Sequence, residues 1–320
     1  MLDRLAGHGR LEVVGHRIVH GGPHHDRPAL VDDALLGELR ALVPFAPLHL
    51  PAQLATLETT ARRAPGVPQV ACFDTAFHRR LPEVAQRLPL PTSLWDRGVR
   101  RYGFHGLSYE YVSAAVDAPA RGRVVLAHLG SGASMVALRD GVPIDTTMGL
   151  TPAGGLVMGT RTGDLDPGVL LYLIEQEGYD TEALGHLIND QAGLVALSER
   201  TGDLRELLAT AATDPRAALA LAAYARSLRQ HVGALAAELG GLDLLVFTGG
   251  VGEHAPTIRA DAVKKPVDSV ITFQERSLEI VNEMRELSTK NSAEIRNAVE
   301  EGKRRIARLV AQGQALPLNG

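Results

Sequence analysis

The chain has 320 residues, of which 45% are hydrophobic, and this size allows one large globular domain or two ordinary ones with a real core. Its 33 Lys and Arg residues nearly balance its 37 Asp and Glu residues, and the sequence pI is near 6.3. This balance excludes the strongly basic surface of a nucleic-acid-binding protein, so we predict no nucleic-acid partner. A small anionic ligand would have to be bound by local charges.

Cysteine usage and the apolar runs predict a cytoplasmic protein. The only cysteine, Cys72, excludes an intramolecular disulfide and lies in an apolar run, where a small buried residue is expected. No stretch reaches the length of a transmembrane helix, and the first residues, MLDRLAGHGRLEVV, lack the uninterrupted apolar core of a signal peptide. We therefore predict no membrane partner.

Two predicted strands near the start of the chain each carry a charged side chain close to their end. Residues 11–22 (LEVVGHRIVHGG) alternate as a strand does, which places Arg17 in or beside it. Residues 67–77 (VPQVACFDTAF) indicate a buried strand leading into Asp74, and residues 48–63 predict an intervening helix. Arg17 is either an anion-binding or an ordinary surface residue. Asp74 is either a turn former or an acid–base or positioning group.

Two turns in the middle of the chain combine glycine with polar side chains. Residues 100–112 (RRYGFHGLSYEYV) place His105 between glycines, either in an aromatic core turn or as a donor to a ligand oxygen. Residues 124–129 (VVLAHL) predict a buried strand, followed by the turn 130–134 (GSGAS) and a hairpin over residues 135–144. Such a turn cradles phosphate through backbone N–H groups, although an ordinary hairpin has the same pattern.

Residues 148–168 (MGLTPAGGLVMGTRTGDLDPG) form the longest stretch that is incompatible with regular structure. Repeated Gly and Pro disfavour both a helix and a central strand. Long loops in compact domains are usually functional or disordered, and the apolar residues of this segment argue against disorder. We predict a functional loop in which Arg161 is a donor for phosphate or carboxylate.

Helical patterns dominate after this loop. They cover residues 169–177, 181–190, 203–212 and 215–239. Residues 242–248 (LDLLVFT) predict another buried strand, followed by a Gly-rich turn (GGVGEH) and a helix that starts near Pro256. A strand, a Gly-Gly turn and a helix N-terminus are a known setting for a nucleotide.

The composition changes at residue 264. Residues 1–263 contain no lysine, and the four lysines of the chain all follow. Residues 264–320 are charged and predict an atypical helical tail that packs less well than the rest of the chain.

Six segments together resemble the acetate and propionate kinase family of the actin, sugar-kinase and Hsp70 superfold. They are GHRIVHGG (15–22), FDTAFH (73–78), RYGFHG (101–106), HLGSGAS (128–134), MGLTPAGGLVMGTRTGDLDPG (148–168) and FTGGVGEH (247–254). The resemblance implies an α/β protein of duplicated, actin-like (ribonuclease H-like) mixed-sheet domains, the first one incomplete. Residues 1–76 would be the remnant of an acyl-substrate domain and residues 77–263 the nucleotide-binding domain.

The resemblance also implies phosphoryl transfer from ATP to acetate, with ATP or ADP and Mg²⁺ as cofactors and a homodimer as the assembly. By matching motif, Arg17 would bind the acetate carboxylate, and Asp74, His105 and Arg161 would be the catalytic residues. Nucleotide binding would fall to three segments: His128, Leu129, Gly130, Ser131 and Gly132; Asp203, Leu204 and Arg205; and Gly250, Val251, Gly252, Glu253 and His254. Directed donors of this kind suit a metaphosphate-like transition state.

The chain departs from the family pattern at both ends. The family's first phosphate loop and its C-terminal metal glutamate have no match here, so no metal ligand can be assigned from the sequence. Two alternatives to an acetate kinase therefore stay open: a propionate kinase, and a truncated, catalytically silent relative that only binds a ligand or partner.

Overall fold

The computed structural model describes residues 11–263, in which two mixed β-sheets are flanked by helices. The strands are β1 (Val14–Ile18), β2 (Ala29–Leu30), β3 (Gln69–Phe73), β4 (Arg123–Leu129), β5 (Ala133–Arg139), β6 (Val142–Thr146) and β7 (Leu244–Thr248). The helices are α1 (Asp33–Ala41), α2 (Leu50–Arg63), α3 (Glu83–Gln86), α4 (Thr92–Trp95), α5 (Gly106–Ala115), α6 (Ala118–Arg121), α7 (Pro167–Glu175), α8 (Thr181–Asp190), α9 (Gly193–Ser198), α10 (Leu204–Thr210), α11 (Pro215–Leu239), α12 (Gly249–His254) and α13 (Pro256–Ala262). Short 3₁₀ helices span Val43–Phe45 and Ala76–Arg80. The predicted α/β class is confirmed.

The first sheet has the order β1-β3-β2, with β1 parallel and β2 antiparallel to β3. The register pairs Arg17 with Cys72 and Ile18 with Phe73, and the backbone N–H of Asp74 donates to Ile18 O at 2.9 Å. Because parallel strands end at the same edge of a sheet, Arg17 and Asp74 become neighbours.

The second sheet has the order β6-β5-β4-β7, and its two central strands supply much of the core. Leu126 of β4 and Met135 of β5 have no exposed surface. β4 runs parallel to β7, with His128 opposite Thr248. The glycine-rich segments that follow these two strands therefore meet at one edge of the sheet.

The long helix α11 covers this sheet. It begins at Pro215 after Asp214, whose side chain accepts hydrogen bonds from two backbone N–H groups of the first turn. It ends before Gly240, which adopts the left-handed conformation at φ 72°. Its buried side chains recur at helical spacing, as expected for an amphipathic helix packed on a core.

The segment between β6 and α7 contains neither a helix nor a strand in this described part of the chain, as its composition predicts. Leu156 and Met158 are completely buried, so the loop is anchored by its own apolar side chains. The functional interpretation of this loop has to come from its contacts.

The structure differs from two sequence predictions, and a third concerns residues that it does not describe. The residues after β7, expected to be a Gly-rich turn, form the short helix α12, because the chain turns into a helix directly at Gly249, whose φ is 79°. Cys72 is only partly buried. The prediction for residues 264–320 lies outside the described residues. No helix in residues 11–263 has the length and hydropathy needed to cross a membrane.

Candidate active site

Arg17 and Asp74 form an ion pair where β1 and β3 end. Arg17 Nη2 lies 2.5 Å from Asp74 Oδ2, and Arg17 Nε donates to Oδ1 and Oδ2 at 3.1 and 2.9 Å. The Asp74 side chain is 1% exposed, whereas that of Arg17 is 60% exposed. Burial raises the pKa of the Asp74 carboxyl, and hydrogen bonding to Arg17 opposes this rise. The buried carboxylate thus holds a guanidinium group that remains open to a ligand.

His105 precedes helix α5 in a left-handed backbone conformation, with φ 59° and ψ 22°. A non-glycine residue in this region costs about 1 kcal/mol, and such strain is often found at functional sites. The backbone N–H of Gly106 donates to Asp74 O at 2.8 Å, and a Cβ on Gly106 would overlap that oxygen. Glycine at position 106 therefore allows α5 to begin directly against Asp74, which brings His105 to the ion pair.

A chain of hydroxyl groups orients the His105 ring. Ser134 Oγ lies 2.8 Å from His105 Nδ1 and 2.5 Å from Tyr109 Oη. Burial raises the pKa of Tyr109, so its hydroxyl keeps its proton at neutral pH. We assign Tyr109 as donor to Ser134 and Ser134 as donor to Nδ1, which leaves the His105 proton on Nε2.

The His105 ring stacks on His128, with ring centroids 4.3 Å apart. Burial, reinforced by His128 and by Arg17, lowers the pKa of His105 well below 6.5. Burial also lowers the pKa of His128, whose Nδ1 lies 2.9 Å from Ser108 Oγ. Both rings are therefore neutral at pH 7 and can offer an N–H donor without adding charge.

Arg161 extends from the long loop toward the same place. Its Nη1 donates to Pro152 O at 3.1 Å, and its Nη2 lies 3.4 Å from His49 Nε2. Burial lowers the pKa of Arg161, yet a guanidinium stays charged in proteins. No carboxylate within residues 11–263 forms an ion pair with Arg161, so its charge is available to a ligand.

The loop that carries Arg161 is fastened to helix α11. Asp164 accepts a hydrogen bond from Gly155 N at 2.8 Å and lies 3.3 Å from His231 Nε2 of α11. Val157 N donates to Ser227 Oγ of the same helix at 3.2 Å. These contacts join the loop to one helix on both sides of Arg161, which limits the movement of that side chain.

A narrow cavity of about 220 Å³ collects the residues described so far. Its wall includes Arg17, Asp74, His105, His128, Gly132 and Arg161. A Cβ added to Gly132 would lie 3.2 Å from Arg161 Nη1 and 3.6 Å from His105 Nε2, so these donors converge on the space beside Gly132. With two guanidinium groups and one paired carboxylate, the narrow cavity suits a small anion.

A wide cavity of about 950 Å³ adjoins the narrow one. Three of the segments predicted to bind nucleotide line it: Gly130 and Ser131, then Asp203, Leu204 and Arg205, and finally Gly250, Val251 and His254. Gly130, Ser131 and Arg161 line both cavities, so the two spaces are neighbours along these three residues. The wide cavity is within the size range of drug-sized or cofactor-sized ligands.

Some predicted nucleotide-binding residues lie elsewhere. His128 and Gly132 line the narrow cavity, while Leu129, Gly252 and Glu253 line neither cavity. Leu129 is completely buried in β4, so any contribution to binding comes from its backbone. The roles of all these residues stay predictions.

Asp203 and Arg205 have the local roles that their position predicts and also face the wide cavity. Asp203 accepts a hydrogen bond from Arg205 N at the start of α10, and its side chain pairs with Arg205 Nη2 at 2.6 Å. The side-chain hydrogen bond from Arg205, together with the backbone N–H groups that the carboxylate caps, lowers the pKa of Asp203 to about 2. The pair therefore forms a charged rim that is fixed to a helix N-terminus.

The described residues do not form a binding site for a divalent metal ion. The described residues contain no group of three or more His, Cys, Asp or Glu side chains that could hold a metal ion. Asp74, the carboxylate in the narrow cavity, is already engaged by Arg17. Residues 11–263 alone therefore do not fit a metal site built from protein ligands.

Three residues of the candidate site carry no signal of their own in the sequence. His49 precedes α2 and faces Arg161, but no local pattern distinguishes it from a loop histidine. Ser134 and Tyr109 both lie in segments that the sequence singled out, so position within the motif was the available signal. Their link to His105 depends on packing α5 against β5.

Comparison with known proteins places this geometry in a family. A sequence profile of the Acetokinase family matches residues 5–297. The acetate kinase of Rhodopseudomonas palustris (strain ATCC BAA-98 / CGA009) is 50% identical over 255 residues, which cover 78% of this chain and 64% of that protein. The chain thus spans somewhat less than two thirds of this relative.

Solved structures agree with the sequence match. The crystal structure of Porphyromonas gingivalis acetate kinase has a TM-score of 0.73 at 41% identity, covering 79% of this chain and 65% of that one. A propionate kinase from Francisella tularensis subsp. tularensis SCHU S4 has a TM-score of 0.78 at 37% identity, covering 82% of this chain and 70% of that one. This likeness confirms the predicted actin-like fold class.

Proposed function

The chain belongs to the acetokinase family, and we propose that it catalyses the reversible transfer of a phosphoryl group from ATP to acetate, giving ADP and acetyl phosphate. The observation that carries the proposal is the junction of the two cavities at Arg161. In-line transfer needs the acceptor and the leaving group on opposite sides of the phosphorus. A narrow, cationic cavity and a wide, nucleotide-sized cavity that share Gly130, Ser131 and Arg161 meet this requirement.

Acetate occupies the narrow cavity in this proposal. Its carboxylate pairs with Arg17, which Asp74 holds through hydrogen bonds to Nε and Nη2. A carboxylate oxygen forms a bond to the γ-phosphorus, and the bond from that phosphorus to the β–γ bridging oxygen breaks. The electron pair of the broken bond leaves with ADP, so no separate proton transfer is needed.

Arg161 and His105 stabilise the transferring group. Phosphoryl transfer develops charge on the equatorial oxygens, and donors that are already in position lower the barrier most. The charged guanidinium and the neutral Nε2–H converge beside Gly132. Loop anchoring by Asp164 and the hydroxyl chain from Tyr109 keep both donors in place before substrate binds.

The wide cavity receives the nucleotide. We propose ATP or ADP with Mg²⁺, and the bound cation would neutralise phosphate charge. The described residues do not form a metal cage of their own. The contribution of this chain is therefore to bind and orient the phosphates and to supply the donors of the narrow cavity.

Formation of acyl hydroxamate tests the proposal. The protein is incubated with acetate, Mg-ATP and hydroxylamine, which traps acetyl phosphate as a coloured hydroxamate. Product that is lost in Arg161→Ala and retained in Arg62→Ala, an exposed arginine of α2, supports the proposal. No product at any magnesium concentration, with ligand binding retained, would instead support a silent binding protein.

Propionate is the second candidate acceptor. The similarity to a solved propionate kinase, with a TM-score of 0.78, favours keeping it. Measuring kcat/KM for acetate and propionate under the same conditions distinguishes them. A higher value for propionate would change the assigned acceptor but not the reaction.

We also propose that the protein is a homodimer. Leu171, Tyr172 and Ile174 of helix α7 are 45–58% exposed, and such an apolar face is typical of a subunit interface. Light scattering after Leu171→Lys would show a monomer if this face forms the dimer. We also propose that residues 1–76 serve the acyl substrate, that residues 77–263 serve the nucleotide, and that the protein acts in the cytoplasm.

A further inference from the structure

A third cavity of about 180 Å³ shares no lining residue with the narrow or the wide cavity. Its wall includes Thr75, which follows Asp74 in the chain, and residues 100–102, which lead toward His105. The volume accommodates a small ion but not a nucleotide. This cavity is therefore a separate place for a ligand.

The charge of its wall is strongly positive. Arg79, Arg100 and Arg101 all line it, and none of them forms an ion pair with a carboxylate of residues 11–263. Among the described residues, Arg101 donates to the carbonyl oxygens of Ala85 and Thr146 and to no carboxylate. The carboxylate of the wall, Asp26, is paired with Arg27 at 3.1 Å.

The Arg100 side chain is held by aromatic rings, but one of its hydrogen-bond donors is not used. Its guanidinium stacks on the Trp95 ring at 4.4 Å, and it lies 5.8 Å from the centre of the Tyr102 ring. Its Nε is buried and has no hydrogen-bond partner within residues 11–263. A buried donor without a partner costs about 1–3 kcal/mol, so a bound acceptor would relieve a real penalty.

His78 also lines this cavity, and one of its ring nitrogens is buried without a hydrogen-bond partner among residues 11–263. Its side chain is almost completely buried, and Nε2 lies 3.0 Å from Phe104 O, which can only accept. Nε2 therefore carries the proton, and burial lowers the pKa of His78 to about 4, so the ring is neutral. The remaining ring nitrogen, Nδ1, is a buried acceptor to which no group in the described part of the chain donates.

We propose that the third cavity binds a small oxyanion that still carries a proton, of the hydrogen phosphate class. The guanidinium groups of Arg79 and Arg100 bind its negative oxygens, and its hydroxyl donates to His78 Nδ1. A fully deprotonated oxyanion such as sulfate offers charge to the arginines but no hydrogen to His78, so it binds more weakly.

The tryptophan beside this cavity provides a direct readout. Trp95 is the only tryptophan of the chain and contacts Arg100, so its fluorescence reports on the guanidinium position. Inorganic phosphate is titrated into the full chain and into three variants, with calorimetry as a second measurement. Arg79→Ala removes an exposed donor of the third cavity, Arg161→Ala removes a donor of the narrow cavity, and Arg97→Ala is the matched control at an exposed position outside all three cavities.

We expect a saturable fluorescence change with the same midpoint in the wild-type chain, in Arg161→Ala and in Arg97→Ala. Arg79→Ala should shift the midpoint at least about tenfold, because it loses a charge-assisted hydrogen bond. An unchanged midpoint in Arg79→Ala, loss of the response in Arg161→Ala, or absence of both fluorescence change and heat would overturn the proposal. Equal affinity for sulfate and phosphate would overturn the role of His78.

Discussion

Substitution of Gly132 by alanine places one methyl group where the donors of the narrow cavity converge. The new Cβ would lie 3.2 Å from Arg161 Nη1 and 3.6 Å from His105 Nε2. A phosphoryl oxygen bound by these groups must approach each nitrogen to about 2.7–3.0 Å. The methyl therefore occupies the position that such an oxygen needs, and we expect Gly132→Ala to weaken phosphoryl binding and transfer.

The size of the effect follows from the two contacts. A hydrogen bond that involves a charged group contributes about 1.5–3 kcal/mol. Loss of both contacts raises the free energy of the bound phosphoryl group by about 3–6 kcal/mol, which corresponds to a factor of about 10² to 10⁴. The nearest atoms to the new Cβ are side-chain ends, so the free energy of unfolding should change by less than about 1 kcal/mol.

Hydroxamate formation gives kcat/KM, calorimetry with acetyl phosphate gives Kd, and thermal unfolding reports stability. Gly149→Ala is the matched control, because it lies in the same loop as Arg161 and its Cβ would have no atom within 4 Å. We expect this control to behave as the wild type in all three measurements. A Gly132→Ala variant with kcat/KM and Kd within a few-fold of the wild type would refute the convergence of Arg161 and His105 on one phosphoryl group.

Three further substitutions test the electrostatics of the site. Arg17→Ala leaves the Asp74 carboxylate buried without its partner, and burial already raises the pKa of this carboxyl. Chemical denaturation should therefore show a free energy of unfolding that is about 2 kcal/mol lower at pH 7, and the difference should shrink as acid protonates the carboxyl. A difference that does not depend on pH would contradict this. Ser134→Ala removes the donor to His105 Nδ1. The hydroxamate assay should show a kcat that is about tenfold lower at an unchanged KM. A kcat equal to that of the wild type would exclude a role of Ser134 in orienting the His105 ring. Burial lowers the pKa of His231, but hydrogen bonds to the Asp164 carboxylate and to the Ser227 carbonyl raise it above 6.5 overall. The contact between His231 and Asp164 therefore stabilises the fold below pH 6.5, and this contribution is lost as the pH rises through the pKa of the folded state. His231→Ala should therefore lower the free energy of unfolding by at most about 1 kcal/mol at pH 6 and have a smaller effect at pH 9; equal losses at both values would count against the pair.

The sequence anticipated most of the elements because their local signals agree. The helix predicted over residues 215–239 has the bounds Pro215–Leu239, since Asp214, Pro215 and Gly240 mark its two ends. The strand predicted at residues 124–129 contains a continuous apolar run over residues 124–127, all of them buried, as expected for a strand covered on both faces. Local signals misjudged Gly249–His254, where a helix starts within a run of glycines that favours a turn.

The candidate site was predictable as a set of residues and not as a geometry. Arg17, Asp74, His105 and Arg161 each stand in a segment that resembles one family, and all four line the narrow cavity. The sequence did not indicate that His49 faces Arg161, because no pattern connects residues 112 positions apart.

The order of strands, helices and glycine-rich turns follows from the sequence, and so do the chemical groups available for binding an anion. Which of these groups meet depends on the way the elements pack in three dimensions. Parallel pairing of β1 with β3 and of β4 with β7 brings distant segments to common edges, and docking of α5 on Asp74 adds His105 to them. The third cavity arises in the same way, because Arg79 and Arg100 gain a shared space only when their segments pack together. Such encounters depend on long-range packing, whose geometry leaves no local mark in the sequence.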